Sequence, residues 1–330
     1  MSLGRSVRGL IGVGVALSLT ITACSSAPAL PTDRSPSAAH DLLTGPDGQD
    51  FLESVSTYAW DDRGAATSEL VDWVGPDAAS PDERTAARAG ETAAALARFL
   101  ADHNPSLQAI ETGFFGSDVT TVGKLNPRLT QAFATALAPF QGAMVCDPRG
   151  VTGFPLLETP CEAAVLKARP IFAALSTDPS AYAFFADEAH ERVDGYLRTY
   201  AENDPTDVAN PLPSALSYAG RLLGLVAAGA RTAPNSPIKP PNMDDEMLNA
   251  RYVMVRAMLA RNPALSFPGD YVHNGELLTP AAVRDAFGPT GFESYSKALA
   301  AFLRDNGNVE NQITHDMFGQ YEFAAGAATK

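Results

Sequence analysis

The chain has 330 residues, with 24 Lys and Arg against 38 Asp and Glu and a formal net charge of -14. That balance argues against nucleic acid as a partner, because affinity for it comes largely from Lys and Arg neutralising phosphates, and against adsorption to anionic lipid through a basic surface. The length is enough to bury a sizeable core, in one large domain or two small ones.

The chain opens on a basic start, Arg5 and Arg8, followed by the apolar stretch Leu10 to Leu19 and the small residues Thr22 and Ala23 before Cys24. This is the layout of a secretory signal peptide. The apolar run is too short for a spanning helix, which needs roughly 20 residues. Ile21-Thr22-Ala23-Cys24 resembles the bacterial lipobox, so residues 1–23 are expected to be a cleaved leader. Cys24 is then the lipidated first residue of a mature protein, carrying acyl chains such as palmitate. A plain signal peptide or a short retained anchor is the alternative. Residues 24–50 are rich in Ser, Pro, Ala and Asp and are expected to form a flexible tether. The expected location is the extracytoplasmic face of the cell membrane, held there by the lipid anchor.

Cys146 and Cys161 enclose "DPRGVTGFPLLETP", a stretch full of turn formers between helical patterns. In an exported protein this isolated pair reads as a disulfide, with two buried thiols or part of a metal site as the alternatives.

Helix starts recur with a capping residue before proline, at Asn126-Pro127, Thr159-Pro160, Asp178-Pro179 and Thr279-Pro280, and near Ser80-Pro81-Asp82-Glu83. Helical periodicity follows each. After Asn126 it runs through Leu129, Phe133, Leu137 and Phe140; after Asp178, through Tyr182, Phe185, Ala189, Val193 and Tyr196. Met243 to Arg261 places Asp244, Asp245 and Glu246 at its start and Arg261 at its end, an arrangement that suits the helix dipole. Further helices are expected at 48–59, 64–74, 213–231, 291–305 and 310–323, and the best strand candidate is Asp118 to Val122. The fold class is all-α, a multi-helix bundle or irregular helical array. The main helical domain is expected over 51–231, the Pro-rich stretch 232–242 as a linker, and a C-terminal helical part over 243–330. No strict repeat of fixed period is visible, which argues against a regular solenoid.

Three pieces of the chain carry a resemblance: "LARFLADHNPSLQAI...GSDVTTVGKLNPRLTQAFATALAPFQGAMVCD", "ARPIFAALSTDPSAYAFFADEAHERVDGYLRTYAE" and "ALSYAGRLLGLVAAGA". In order and spacing they resemble, over about 95–230, an α-helical region of large actinobacterial proteins described as TPR repeat region-containing and associated with WXG100-type secretion systems. The resemblance implies a helical fold and brings no catalytic residues. The chain departs from that family in its lipobox and in having neither a WXG100-like start nor a C-terminal toxin.

Candidate chemistry is sparse. "DEAHERVD" places His190 and Asp194 one helical turn apart, beside Glu191 and one turn after Asp187. These are the weak candidates for a metal, against the plainer reading of a solvated helix face. "GSDVTTVGKL" lacks the spacing and the Ser or Thr of a phosphate loop, and no G-x-S-x-G elbow is present. "ALSYAGRLLGLVAAGA" is almost wholly apolar but contains Arg221, which favours a buried central helix whose Gly220, Gly224 and Gly229 admit close neighbours. No cofactor and no assembled catalytic set is expected. The resulting expectation is a lipid-anchored envelope protein whose helical, non-enzymatic domain binds a protein or envelope component. The alternative is an envelope hydrolase or metal-dependent enzyme using His190 and nearby acids.

Overall fold

The computed structural model describes residues 26–112, 117–149, 152–203, 213–232 and 239–326. The expected leader 1–23 and Cys24, and 233–238 of the Pro-rich stretch, lie outside them. Helices dominate. The N-terminal part contains α1 Pro36–Thr44, α2 Gly48–Thr57, α3 Ala65–Ser68, α4 Val74–Ala78, α5 Glu83–Asp102 and α6 Asn104–Gln108. A short antiparallel hairpin, β1 Ile110–Thr112 with β2 Asp118–Thr120, interrupts the helices. There follow α7 Val122–Leu125, α8 Pro127–Leu137, α9 Gln141–Met144, α10 Cys161–Leu175, α11 Pro179–Glu202, α12 Pro213–Thr232 and α13 Met243–Arg261. A second hairpin, β3 Val272–His273 with β4 Glu276–Leu277, turns at Asn274-Gly275, where both residues have positive φ. The chain ends in α14 Pro280–Asp305, α15 Val309–Gln312, a π turn at Ile313–Met317 and α16 Phe318–Ala325.

α12 lies at the centre. Ala215, Leu216, Ala219, Leu222, Leu223, Leu225 and Ala227 are all fully buried, so the helix is enclosed over most of its surface, with Ser217, Tyr218 and Arg221 partly exposed. Its neighbours come within backbone distance. A side chain on Gly220 would overlap the Met317 carbonyl, and a Cβ on Gly224 would lie 2.5 Å from the Tyr321 carbonyl oxygen. Gly229 gives α10 the same approach, at 2.8 Å from the Phe172 carbonyl oxygen. Among the described residues no helix is long and apolar enough to cross a membrane.

The residues after the Pro-rich stretch share this core. Arg169 of α10 donates to the carbonyls of Phe323 and Ala324, and Arg231 donates to that of Ala325 at 3.3 Å. These guanidiniums satisfy the unpaired carbonyl end of α16 and complement its dipole. Arg251 of α13 pairs with Glu310 of α15 through its Nε, 3.0 Å from Oε2, with both side chains largely buried.

The tether expected to reach residue 50 is corrected from Pro36 onward. α1 is capped by the Ser35 hydroxyl and buries Ala39 and Leu43, while α2 buries Leu52 and Val55. His40 Nδ1 meets Thr92 Oγ1 of α5 at 3.0 Å, and Gln49 donates to the Ala95 carbonyl at 3.2 Å. So short and weakly apolar a segment is held in helix by these tertiary contacts rather than by its own periodicity.

Other elements also differ from expectation. The helix expected over 64–74 is broken after Ser68, where Leu70 and Val71 bond the carbonyls three residues back, and the Trp73 indole takes the Leu70 carbonyl at 2.9 Å while the Val74 N–H bonds Val71. α10 begins at Cys161 with Pro160 in the capping position and no cap from Thr159. Asp178 and Thr279 do cap their helices, accepting from Ala181 and Ala282.

Gly220→Val is expected to force α16 away from α12 and to lower stability by about 1–3 kcal/mol or more. Urea denaturation checks it; an unchanged midpoint would show that the contact is not close.

Candidate functional site

α11 and α13 lie side by side and in parallel. His190 of α11 faces Glu246 of α13, with Nε2 to Oε1 at 3.1 Å; one turn on, Asn249 donates to Asp194 Oδ1 at 3.1 Å. Nearer the C-terminal ends, Arg261 donates to the Glu202 carbonyl at 3.1 Å. The pairings advance in the same direction on both helices and define a polar seam. It runs between an element of the expected main domain and one of the C-terminal part.

His190 and Asp194 thus face one element without sharing a ligand. The imidazole is fixed at its other nitrogen by the Ala186 carbonyl, 2.7 Å from Nδ1. Among the described residues no group of three or more His, Cys, Asp or Glu is placed to hold a metal ion. Glu246 was readable only as part of the acidic first turn of α13; its pairing with His190 depends on tertiary packing. The Glu246 hydrogen bond raises the His190 pKa above its ordinary value, against an opposing effect of burial. Burial raises the Asp194 carboxyl, opposed by the Asn249 hydrogen bond.

Cys146 and Cys161 lie at disulfide distance, with Cα atoms 6.0 Å apart, inside the range a disulfide requires. Cys161 is the first residue of α10, and the loop between the two cysteines is braced by Asp147, which accepts from Arg149 Nε at 2.9 Å. Arg221 Nη1 reaches Cys161 Sγ at 2.9 Å, while its Nε donates to Gln320 of α16 at 2.7 Å. Arg221, near the middle of the central helix, therefore ties the cysteine loop to the C-terminal helix.

The glycine–lysine stretch weighed against a phosphate loop is occupied structurally. The Gly123 N–H donates to Thr177 Oγ1 at 3.0 Å and Thr121 caps α7. Asn126 does not cap α8 with its side chain. It is fully buried and donates to the Ser56 and Tyr58 carbonyls at 3.0 and 2.7 Å, closing the end of α2.

A family model described as a TPR repeat domain matches residues 32–73. No curated protein and no solved structure matches the chain significantly. The match spans α1, α2 and α3 and marks a TPR-like helical segment there. It lies before residues 95–230, on which the sequence resemblance rested, and includes part of the stretch expected to be a tether.

Two outcomes follow from this geometry. With a folded pKa above about 6.5, its unfolded value, His190 stabilises the protein fully below that pH, and the contribution is lost as pH rises through the folded value. Asp194 acts in the same direction at lower pH, since its folded pKa is also raised. Chemical denaturation from pH 5 to 9 should show stability falling above about 6.5, with the fall flattened in His190→Asn; a folded His190 titrating below that value by NMR would contradict it. For the cysteines, reduction should cost about 3 kcal/mol, as for a closed loop of roughly 15 residues, and thiol labelling of the folded protein should appear only after reduction.

Proposed function

We propose that the protein is a lipid-anchored envelope protein whose helical domain is a protein-interaction module. The match of residues 32–73 to a TPR repeat domain, on a segment folded as a helical hairpin against α5, is the observation that carries the interaction reading. TPR units are helix–turn–helix modules of about 34 residues that stack to form binding surfaces. α1 and α2, joined through Gly45–Asp47, supply one such pair, with Asp41, Asp47 and Asp50 exposed. The anchor reading is supported by the order of Arg5, Arg8, the apolar run and the lipobox-like residues before Cys24. Two acyl chains would give the stable attachment that a single chain does not. The likeness to proteins of WXG100-type secretion supports a partner at the cell surface, in that setting or another.

Cys24→Ala should shift the protein from the membrane fraction to the medium, or leave its leader uncleaved. A variant that stays with the membrane after losing residues 1–23 would remove the anchor. For the module, cross-linking on intact cells should recover a partner with the wild-type chain that is lost when Asp41 and Asp50 are both changed to Arg. The same partner recovered from both chains would place the contact away from the TPR-like hairpin.

A further inference from the structure

Past the Asp194–Asn249 pair the α11–α13 seam opens into a cleft of ≈ 570 Å³, within the roughly 300–1,000 Å³ typical of small-molecule sites. Tyr252, Val253 and Ala257 give it an apolar floor, and Arg198 of α11 and Arg256 and Arg261 of α13 line it. Arg198 donates to the Asp194 carbonyl of its own helix at 3.1 Å and Arg261 to the Glu202 carbonyl at 3.1 Å. Among the described residues Arg256 makes no hydrogen bond, and none of the three pairs with a carboxylate; the paired guanidiniums are those of Arg34, Arg88, Arg149, Arg221, Arg251 and Arg284. Asp194 and Glu202 also border the cleft. The first has an oxygen committed to Asn249, and the second is exposed to solvent.

We infer that this cleft binds a small amphiphile with one acidic headgroup, carboxylate or phosphate, and an aliphatic chain. The planar guanidinium fork matches either headgroup with paired hydrogen bonds, and the apolar floor gives the chain a surface to leave water for. Size and charge select the class. The chain as a whole repels extended polyanions, but that repulsion is screened beyond about 8–10 Å at physiological salt, so a single headgroup at the cleft feels mainly the charges that line it, three guanidiniums against the two carboxylates of Asp194 and Glu202. The inference is independent of the envelope reading and of the TPR-like hairpin, which lie elsewhere in the chain.

The test is calorimetric titration of the purified full chain carrying Cys24→Ala, with decanoate and decyl phosphate below their micellar concentrations. Decyl maltoside, with a neutral headgroup, and inorganic phosphate, without a chain, serve as comparisons. Saturable binding of one or both anionic amphiphiles is expected, about tenfold or more tighter than either comparison. Arg256→Gln, at an exposed position without a hydrogen bond, should weaken binding several-fold, and Arg198→Gln with Arg256→Gln by about tenfold or more, with the melting temperature unchanged. Binding of the anions should also weaken as salt is raised. This salt dependence checks the charge contribution without a variant. Whichever of decanoate and decyl phosphate binds more tightly identifies the preferred headgroup. Equal uptake of decyl maltoside, equal binding of inorganic phosphate, indifference to both substitutions, or no saturation by either anion would overturn the assignment.

Discussion

The fold depends on how closely the C-terminal helix approaches the central one. A helix apolar on most sides can be buried only if neighbours cover most of its circumference, and α12 achieves this by presenting glycine where α16 and the π turn cross it. At Gly220 and Gly224 the partner's carbonyls occupy the space a side chain would take. Close packing of this kind maximises dispersion contacts and leaves little freedom for adjustment. Arg221, in the middle of the same helix, fixes the arrangement by bonding Gln320 on one side and Cys161 on the other. Its charge is tolerated because it is spent on named acceptors at the helix surface.

From that crossing the rest of the architecture follows. With α16 held on α12 and its carbonyl end closed by Arg169 and Arg231, the residues on either side of 232–242 belong to one continuous apolar core. α13 is then set beside α11, and Arg251 to Glu310 links it to the segment that leads into α16. The seam is a consequence of this placement. Its polar side chains are paired at His190–Glu246 and Asp194–Asn249, and among the described residues its guanidiniums pair with no carboxylate where the cleft opens.

What was legible in the sequence follows from the range of each interaction. Asp178 and Thr279 cap their own helices, so their roles could be read from neighbouring residues. The central helix and its glycines were legible because composition alone made exposure costly. Asn126 was read as a cap and is instead a clamp on α2, because its acceptors, Ser56 and Tyr58, come from far earlier in the chain. The break between α3 and α4 is a run of tighter backbone bonds at Leu70, Val71 and Val74 with one indole hydrogen bond beside it, which no propensity expresses. The stretch from Pro36 to Asp50 read as tether because only a few of its residues are apolar; its helices are stabilised by contact with α5. The cysteine pair was legible from isolation and loop composition. His190 was legible as a position but not as a pair, since Glu246 stood among three acids that equally suited a helix start.

Net charge and local charge act on different length scales, and in this chain they have opposite signs. The excess of acids governs solubility and encounter with other macromolecules, while the seam is decided by groups within a few ångströms of each other. A histidine held by one carboxylate and three guanidiniums that, among the described residues, pair with none lie along the same pair of helices. The distinction is therefore set by helix register: moving one turn along α11, from His190 to Asp194 and then to Arg198, takes the facing partner on α13 from Glu246 to Asn249 and then into the open cleft. A shift of one turn between α11 and α13 would separate the imidazole from Glu246 and move the arginines relative to the apolar floor. The contacts that hold this register are the pairings across the seam itself, with Arg251 to Glu310 tying α13 to the segment that leads into α16.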